Sequence, residues 1–207
     1  LRNCGAGISD DERYLFITET ESTSGNSLYF KDLSVADSKI IPIVTNFDND
    51  YSVIDCVNGQ IIVLTNSDAP NQRLIAIDPQ NPEKKYWKTI IPENNFVLEQ
   101  VNIAGTYYVA KYIENASNHA YLHDFAGTKI AEIKLPTMGT IASFSGNMNE
   151  NTAYYSFVSY TYPPTVYKLD LAKNASEIFR KPEVKFNPDD FETIQKFYTS
   201  KDGTQVP

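Results

Sequence analysis

Cysteine and histidine are almost missing from this chain. Its 207 residues hold two of each: Cys4 and Cys56, His119 and His123. A disulfide framework needs more cysteines than this. The two thiols can pair with each other, but in a chain of this length they are read as free and buried. The histidines stand four residues apart, about 13 Å along a strand. That is too far to share a metal, so they are read as surface or packing residues. Positive charge is also short, with 18 Lys and Arg against 26 Asp and Glu and a net charge of −8. No nucleic-acid partner is expected from that balance. No apolar run reaches the length of a spanning helix, about 18 residues, and no membrane partner is expected. There is no phosphate loop, no Cys-x-x-Cys and no Gly-x-Ser-x-Gly elbow; "ASFSGN", around Ser143 and Ser145, lacks the first glycine. Asp48 and Asp50 in "FDNDY" lack the ordered oxygen ligands of a calcium loop and read as a solvated acidic loop. Asp10, Asp11 and Glu12, like Asp189 and Asp190, read as polar turns. The acceptor patterns Asn115-Ala116-Ser117 and Asn174-Ala175-Ser176 are of a kind that is frequent by chance. These absences assign no catalytic residue, no cofactor and no metal ligand.

What is present is β-forming sequence with a period. Hydrophobic residues make up 42%, with 14 Tyr and 11 Phe, a composition that favours sheets. Four segments are alike: "LYFKDL", "LIAIDP", "AYLHDF" and "VYKLDL". Their aspartates, Asp32, Asp78, Asp124 and Asp170, are each 46 residues apart. Strand-like runs fill each period. Before the aspartates come 13–19, 51–57, 60–65, 97–103, 106–112, 139–146 and 152–160; after them come 39–44, 85–91 and 128–135. Pro42 marks an edge strand, because proline cannot donate to a ladder. Four short strands in every 40–50 residues are the pattern of a β-propeller blade. The fold expected is therefore all-β, about four four-stranded antiparallel blades. A sandwich has no reason to keep a constant period. The repeated aspartate, at the end of each third strand, is read as a structural residue that accepts hydrogen bonds from its own turn.

The end of the chain raises a different expectation. Residues 191–199 alternate like a strand, and Asp202-Gly203 then signals a tight hairpin whose two central residues take positive φ. The sequence stops at Pro207, and it starts at Leu1, not Met. Both features suggest a piece of a longer protein.

In ordered detail the chain resembles the prolyl oligopeptidases, serine peptidases that cleave short peptides after proline. The residues that carry the resemblance are "SDDERYLFITE" (9–19), "TNSDAPNQRLIAID" (65–78), "YWKTIIPE" (86–93), "LHDFAGTKI" (122–130), "VSYTYPPTVYKLDL" (158–171) and "FETIQKFYTSKDGTQVP" (191–207). The resemblance implies a seven-bladed propeller over an α/β-hydrolase domain. It places residues 1–185 in the propeller, as about its last four blades, and residues 186–207 at the start of the hydrolase domain. The family's catalytic triad and oxyanion tyrosine would lie beyond Pro207, so none is carried onto this chain. The function implied is gating: the propeller admits short proline-containing peptides to a buried site. The piece itself is expected to be non-catalytic and to need the missing blades and hydrolase domain. Its cut faces, with Phe16, Ile17, Tyr154, Phe157 and Phe197, would meet water and drive self-association. Two alternatives remain open: a non-enzymatic scaffold that binds proteins, and the propeller of a related dipeptidyl or acylaminoacyl peptidase. The compartment, cytoplasmic or periplasmic, is not set by the sequence.

Overall fold

Burial alternates cleanly along residues 152–158 and 165–170, whereas residues 60–65, 73–77 and 107–112 are buried almost throughout. A computed structural model describes residues 1–207. Its strands are β1 (Asn3–Ile8), β2 (Tyr14–Thr20), β3 (Ser27–Asp32), β4 (Ile41–Val44), β5 (Tyr51–Val57), β6 (Gln60–Thr65), β7 (Arg73–Ile77), β8 (Lys88–Ile91) and β9 (Val97–Ala104). They continue as β10 (Tyr107–Glu114), β11 (Ser117–Asp124), β12 (Lys129–Glu132), β13 (Thr140–Gly146), β14 (Thr152–Val158), β15 (Thr165–Asp170), β16 (Ala175–Arg180), β17 (Tyr198–Thr199) and β18 (Gln205–Val206). The first sixteen form four four-stranded sheets, each built from four consecutive strands in chain order, and β17 pairs with β18. Neighbouring strands run antiparallel. The blade pattern read from the 46-residue period is thus present four times.

Two compact units divide the chain: residues 1–101 with 125–127, and residues 102–124 with 128–207. In the first unit, Tyr14, Phe16, Leu28 and Phe30 of one sheet pack with Tyr51, Ile61, Val63, Ile75 and Ile77 of the next. In the second, Val109, Ala120 and Leu122 pack with Ile141, Phe144, Tyr155, Phe157 and Leu169. Sheets bury their second and third strands best, because those are paired on both sides. The fourth strands β12 and β16 are largely exposed, and β4 is half exposed. Pro42 lies on one of them, β4, opposite Tyr29.

Several expectations need correction. The strand read at 85–91 begins only at Lys88, because Lys84–Tyr86 form a 3-10 turn, with Trp87 Nε1 donating to Pro82 O at 2.8 Å. Residues 191–197 are not a strand; only Tyr198–Thr199 finds a ladder partner. The Asp202-Gly203 turn has one positive φ, not two: Gly203 at 87°. Gly203 N donates to Ser200 O at 3.0 Å and Ser200 N donates to Thr204 O at 2.8 Å. This is a three-residue hairpin loop that ends on a left-handed glycine. Strands β1 and β16 have no counterpart in the sequence pattern, since every residue of both is exposed and leaves no alternation. Phe16 and Phe157, expected to meet water, are buried; Phe197 is exposed. Both cysteines are free, but Cys4 is exposed and only Cys56 is buried.

Candidate functional site at the turn ends of the blades

In the first unit, the connection between β2 and β3 meets the head of β5. Asn26 Oδ1 accepts from Tyr51 N at 2.7 Å, and Asn26 Nδ2 donates to Tyr51 O at 3.0 Å. One carboxamide therefore serves both main-chain groups of Tyr51, as a strand partner would. The adjacent main chain adds to this: Asn26 N donates to Asn49 O at 3.0 Å, and Gly25 N to Asp50 Oδ1 at 2.8 Å. Asp50 also accepts from Asn66 Nδ2 at 3.1 Å. It is a structural acceptor as well as part of an acidic loop, while Asp48 is exposed as expected. A cleft of about 580 Å³ opens here, walled by residues 5–8 of β1, 22–26 and 50–55.

The second unit repeats the device. Asn118 stands six residues before Asp124, as Asn26 stands before Asp32. Its Oδ1 accepts from Ile141 N at 2.8 Å, its Nδ2 donates to Tyr112 O at 3.3 Å, and its own N donates to Gly139 O at 2.9 Å. Lys111 Nζ, on a buried side chain, donates to Ile141 O at 3.2 Å. Both main-chain groups of Ile141 are thus held by side chains of the preceding sheet. A cleft of about 550 Å³ lies beside this joint, lined in part by Ser117, Met138, Thr140, Tyr160, Ile194 and Gln195. Gln195 Nε2 donates to Asn115 O and ties the C-terminal segment to the β10–β11 turn. Gln72 and Pro164 hold the equivalent positions in the other two repeats. Beside Gln72, a main-chain bond, Leu98 N to Asn71 O at 2.9 Å, joins β9 to the β6–β7 loop. The sequence signal for the clasp is an asparagine six residues before the repeated aspartate; it stands in only two of the four repeats, and the aspartate alone does not point to it.

At the opposite end of β5, Asp55 is 8% exposed. Its Oδ1 accepts from Asp10 N at 3.0 Å and Cys56 N at 2.7 Å. Burial pushes its carboxyl above the ordinary range and outweighs these two bonds, and the Asp10 carboxylate adds to the rise. A carboxyl raised on folding contributes stability at low pH and loses it as pH rises through the folded value. An asparagine in its place would keep the acceptor without the charge. Asp55→Asn is therefore expected to stabilise the chain at neutral pH, with a gain that shrinks as pH falls through the raised value into the ordinary carboxylate range; urea midpoints at several pH values check this. Burial also pushes the neighbouring Cys56 thiol up to about 12. A thiol reagent on the native protein is expected to label Cys4 and to reach Cys56 only after unfolding, which mass spectrometry of the labelled peptides reads directly.

The repeated aspartates all lie at the end of a third strand or just past it. Asp32 Oδ1 accepts from Ser34 N at 2.9 Å and Asp78 Oδ1 from Gln80 N at 2.9 Å. Asp124 Oδ1 accepts from Thr128 N at 2.8 Å and Asp170 Oδ1 from Lys173 N at 3.0 Å. Side-chain bonds from Ser34, Asn81 and Lys173 hold the carboxyls of Asp32, Asp78 and Asp170 below the ordinary range. The histidines are not brought together: His119 lies between Glu114 (3.8 Å) and Glu132 (3.5 Å), and His123 is buried. No group of three or more His, Cys, Asp or Glu is arranged to hold a metal. Of the two acceptor patterns, Asn115 is exposed in a tight turn, while Asn174 Nδ2 donates to Glu132 O at 2.8 Å.

Four-stranded antiparallel sheets at a constant period define a β-propeller domain. Residues 1–182 match the family described as the prolyl oligopeptidase N-terminal beta-propeller domain, and the chain belongs to that family. It is 40% identical over 206 residues to a prolyl endopeptidase of Elizabethkingia meningoseptica, covering 100% of this chain and 29% of that protein. It is 38% identical to a prolyl endopeptidase of Elizabethkingia miricola, covering 97% of this chain and 28% of that one. Among solved structures, a prolyl endopeptidase superposes with a TM-score of 0.89 at 30% identity, over 99% of this chain and 30% of that one. Prolyl oligopeptidase B from Galerina marginata, bound to a 35mer hydrolysis and macrocyclization substrate, gives 0.87 at 27% identity, over 99% of this chain and 30% of its own. The chain thus spans less than a third of the length of the relatives it matches.

Proposed function

We propose that this chain is the gating portion of a prolyl oligopeptidase, and that the whole protein cleaves short peptides after proline. The observation that carries the reading is the match in order along the entire chain to a prolyl endopeptidase, beside which stand the open clefts at the blade ends. The relatives match beyond residue 182, where the propeller family match stops. That supports residues 1–185 as propeller and 186–207 as the start of the adjoining hydrolase domain. The four repeated aspartates are turn residues in this reading and take no part in chemistry. The test is direct. The full-length protein is incubated with a short peptide carrying one proline and with its alanine counterpart, and products are sequenced by mass spectrometry. Cleavage on the carboxyl side of proline alone is expected; equal cleavage of both peptides, or of neither, removes the reading.

The chain on its own is proposed to self-associate. Ile8 of β1, and Ile178 and Phe179 of β16, are 60%, 52% and 62% exposed. Apolar burial contributes roughly 25 cal/mol per Å², and edge strands with unpaired main chain template further pairing. Sedimentation velocity over a concentration series is expected to show species larger than the monomer. A single monomer boundary at every concentration would show that these surfaces are not adhesive.

A further inference from the structure

We propose that Asn26 and Asn118 are positioning residues of the peptide filter: each fixes the head of the next blade's first strand, and through it the wall of the cleft it borders. The inference rests on the gating reading above. Its basis is an uncommon use of a carboxamide. The main-chain N–H and C=O at the head of a strand need partners once they leave water. Asparagine is short, uncharged, and carries one acceptor and two donors. Asn26 gives both kinds of bond to Tyr51. Asn118 gives the acceptor to Ile141 N while Lys111 supplies the donor to Ile141 O. The two asparagines occupy the same position in two of the four 46-residue repeats, so the device is not peculiar to one loop.

The clasps also lie at the clefts. Asn26 and Tyr51 are both in the wall of the first. Ser117 and Thr140, the neighbours of Asn118 and Ile141, line the second. When a clasp is lost, the strand head keeps its ladder on one side only and frays, and the adjacent cleft widens. A filter with frayed walls should pass longer peptides while its treatment of short ones stays the same. Substitution by aspartate is not conservative here. Asn26→Asp keeps the acceptor for Tyr51 N, but turns the donor into an acceptor facing Tyr51 O, beside Asp50.

The test has two readouts on Asn26→Ala and Asn118→Ala, with Asn26→Ser and Asn118→Ser as milder variants should an alanine variant not fold. First, amide hydrogen exchange is followed on the folded chain. Exchange at Tyr51 (Asn26 variants) or Ile141 (Asn118 variants) is expected to be about five- to tenfold faster, with β6 and β14 unchanged. Second, in the full-length protein, kcat/KM is measured for a long and a short proline-containing peptide. The long-to-short ratio is expected to rise about threefold or more, with the short-peptide value unchanged. A purely structural role would lower both peptides together. If the unaltered protein discriminates by length and the variants keep its ratio, the clasp proposal is overturned while the filter reading stands. If the unaltered protein does not discriminate at all, the filter reading fails first and this inference with it.

Discussion

Replacing Gly25 with alanine is expected to disrupt the first unit more than any other small change at its cleft. Gly25 has φ 77°, in the left-handed region. A Cβ there would stand 1.8 Å from the main-chain oxygen of Phe47 and 2.7 Å from its carbonyl carbon. Both are backbone atoms, so no side-chain rotation relieves the overlap. The left-handed conformation costs an alanine about 1–2 kcal/mol, and forced displacement of packed main chain adds about 1–3 kcal/mol. The shift would also pull Gly25 N from Asp50 and Asn26 from Tyr51, opening the clasp. The expected loss is about 2–5 kcal/mol in a urea titration, with faster exchange at Tyr51. An unchanged midpoint would mean that the turn relaxes without cost, and would weaken the case for a fixed cleft wall.

Phe157→Ala is the second large effect. Phe157 is fully buried, pairs in register with Ile141 and Thr165, and meets Tyr167 edge-on with ring centroids 6.5 Å apart. Truncation leaves a cavity in the cluster that Phe157 shares with Ile141, Phe144, Tyr155 and Tyr167, whose own strands hold them in place. A loss of about 3–5 kcal/mol is expected. Tyr160→Ala is the control: Tyr160 is 99% exposed, and its removal should move stability by no more than about 0.5 kcal/mol. Equal midpoints for the two variants would contradict the packing described for the second unit.

Legibility in the sequence follows burial. Strand β14 alternates between buried and partly buried residues from Thr152 to Val158, and its run of strand-forming residue types marks it in the sequence. The bounds of β5 and β6 match their sequence runs to the residue, because Asn58-Gly59 punctuates a turn between two apolar runs. β1, with Gly5, Ala6 and Gly7, has no buried face, so no period marks it. The segment 191–197 shows the converse failure. Its alternation is real, but a strand also needs a partner, and the chain offers one only to Tyr198 and Thr199. The repeated aspartates are visible because each bonds within its own turn. The asparagine clasps are not, because each finds its partner in main chain 25 or 23 residues further on, where any residue type would serve.

In the proposed function, this domain admits peptides by size to a site that cuts after proline. This gating is tested most directly by presenting the full-length protein with one proline-containing sequence in three settings: a short free peptide, the same sequence embedded in a long unstructured peptide, and the same sequence in an exposed loop of a folded protein. The rate constant for cleavage is measured for each. Size gating predicts rapid cleavage of the short peptide, slow cleavage of the long one and none of the folded protein, with every cut after proline. Comparable rates for all three would contradict it, because blades that wall a passage would then exclude nothing.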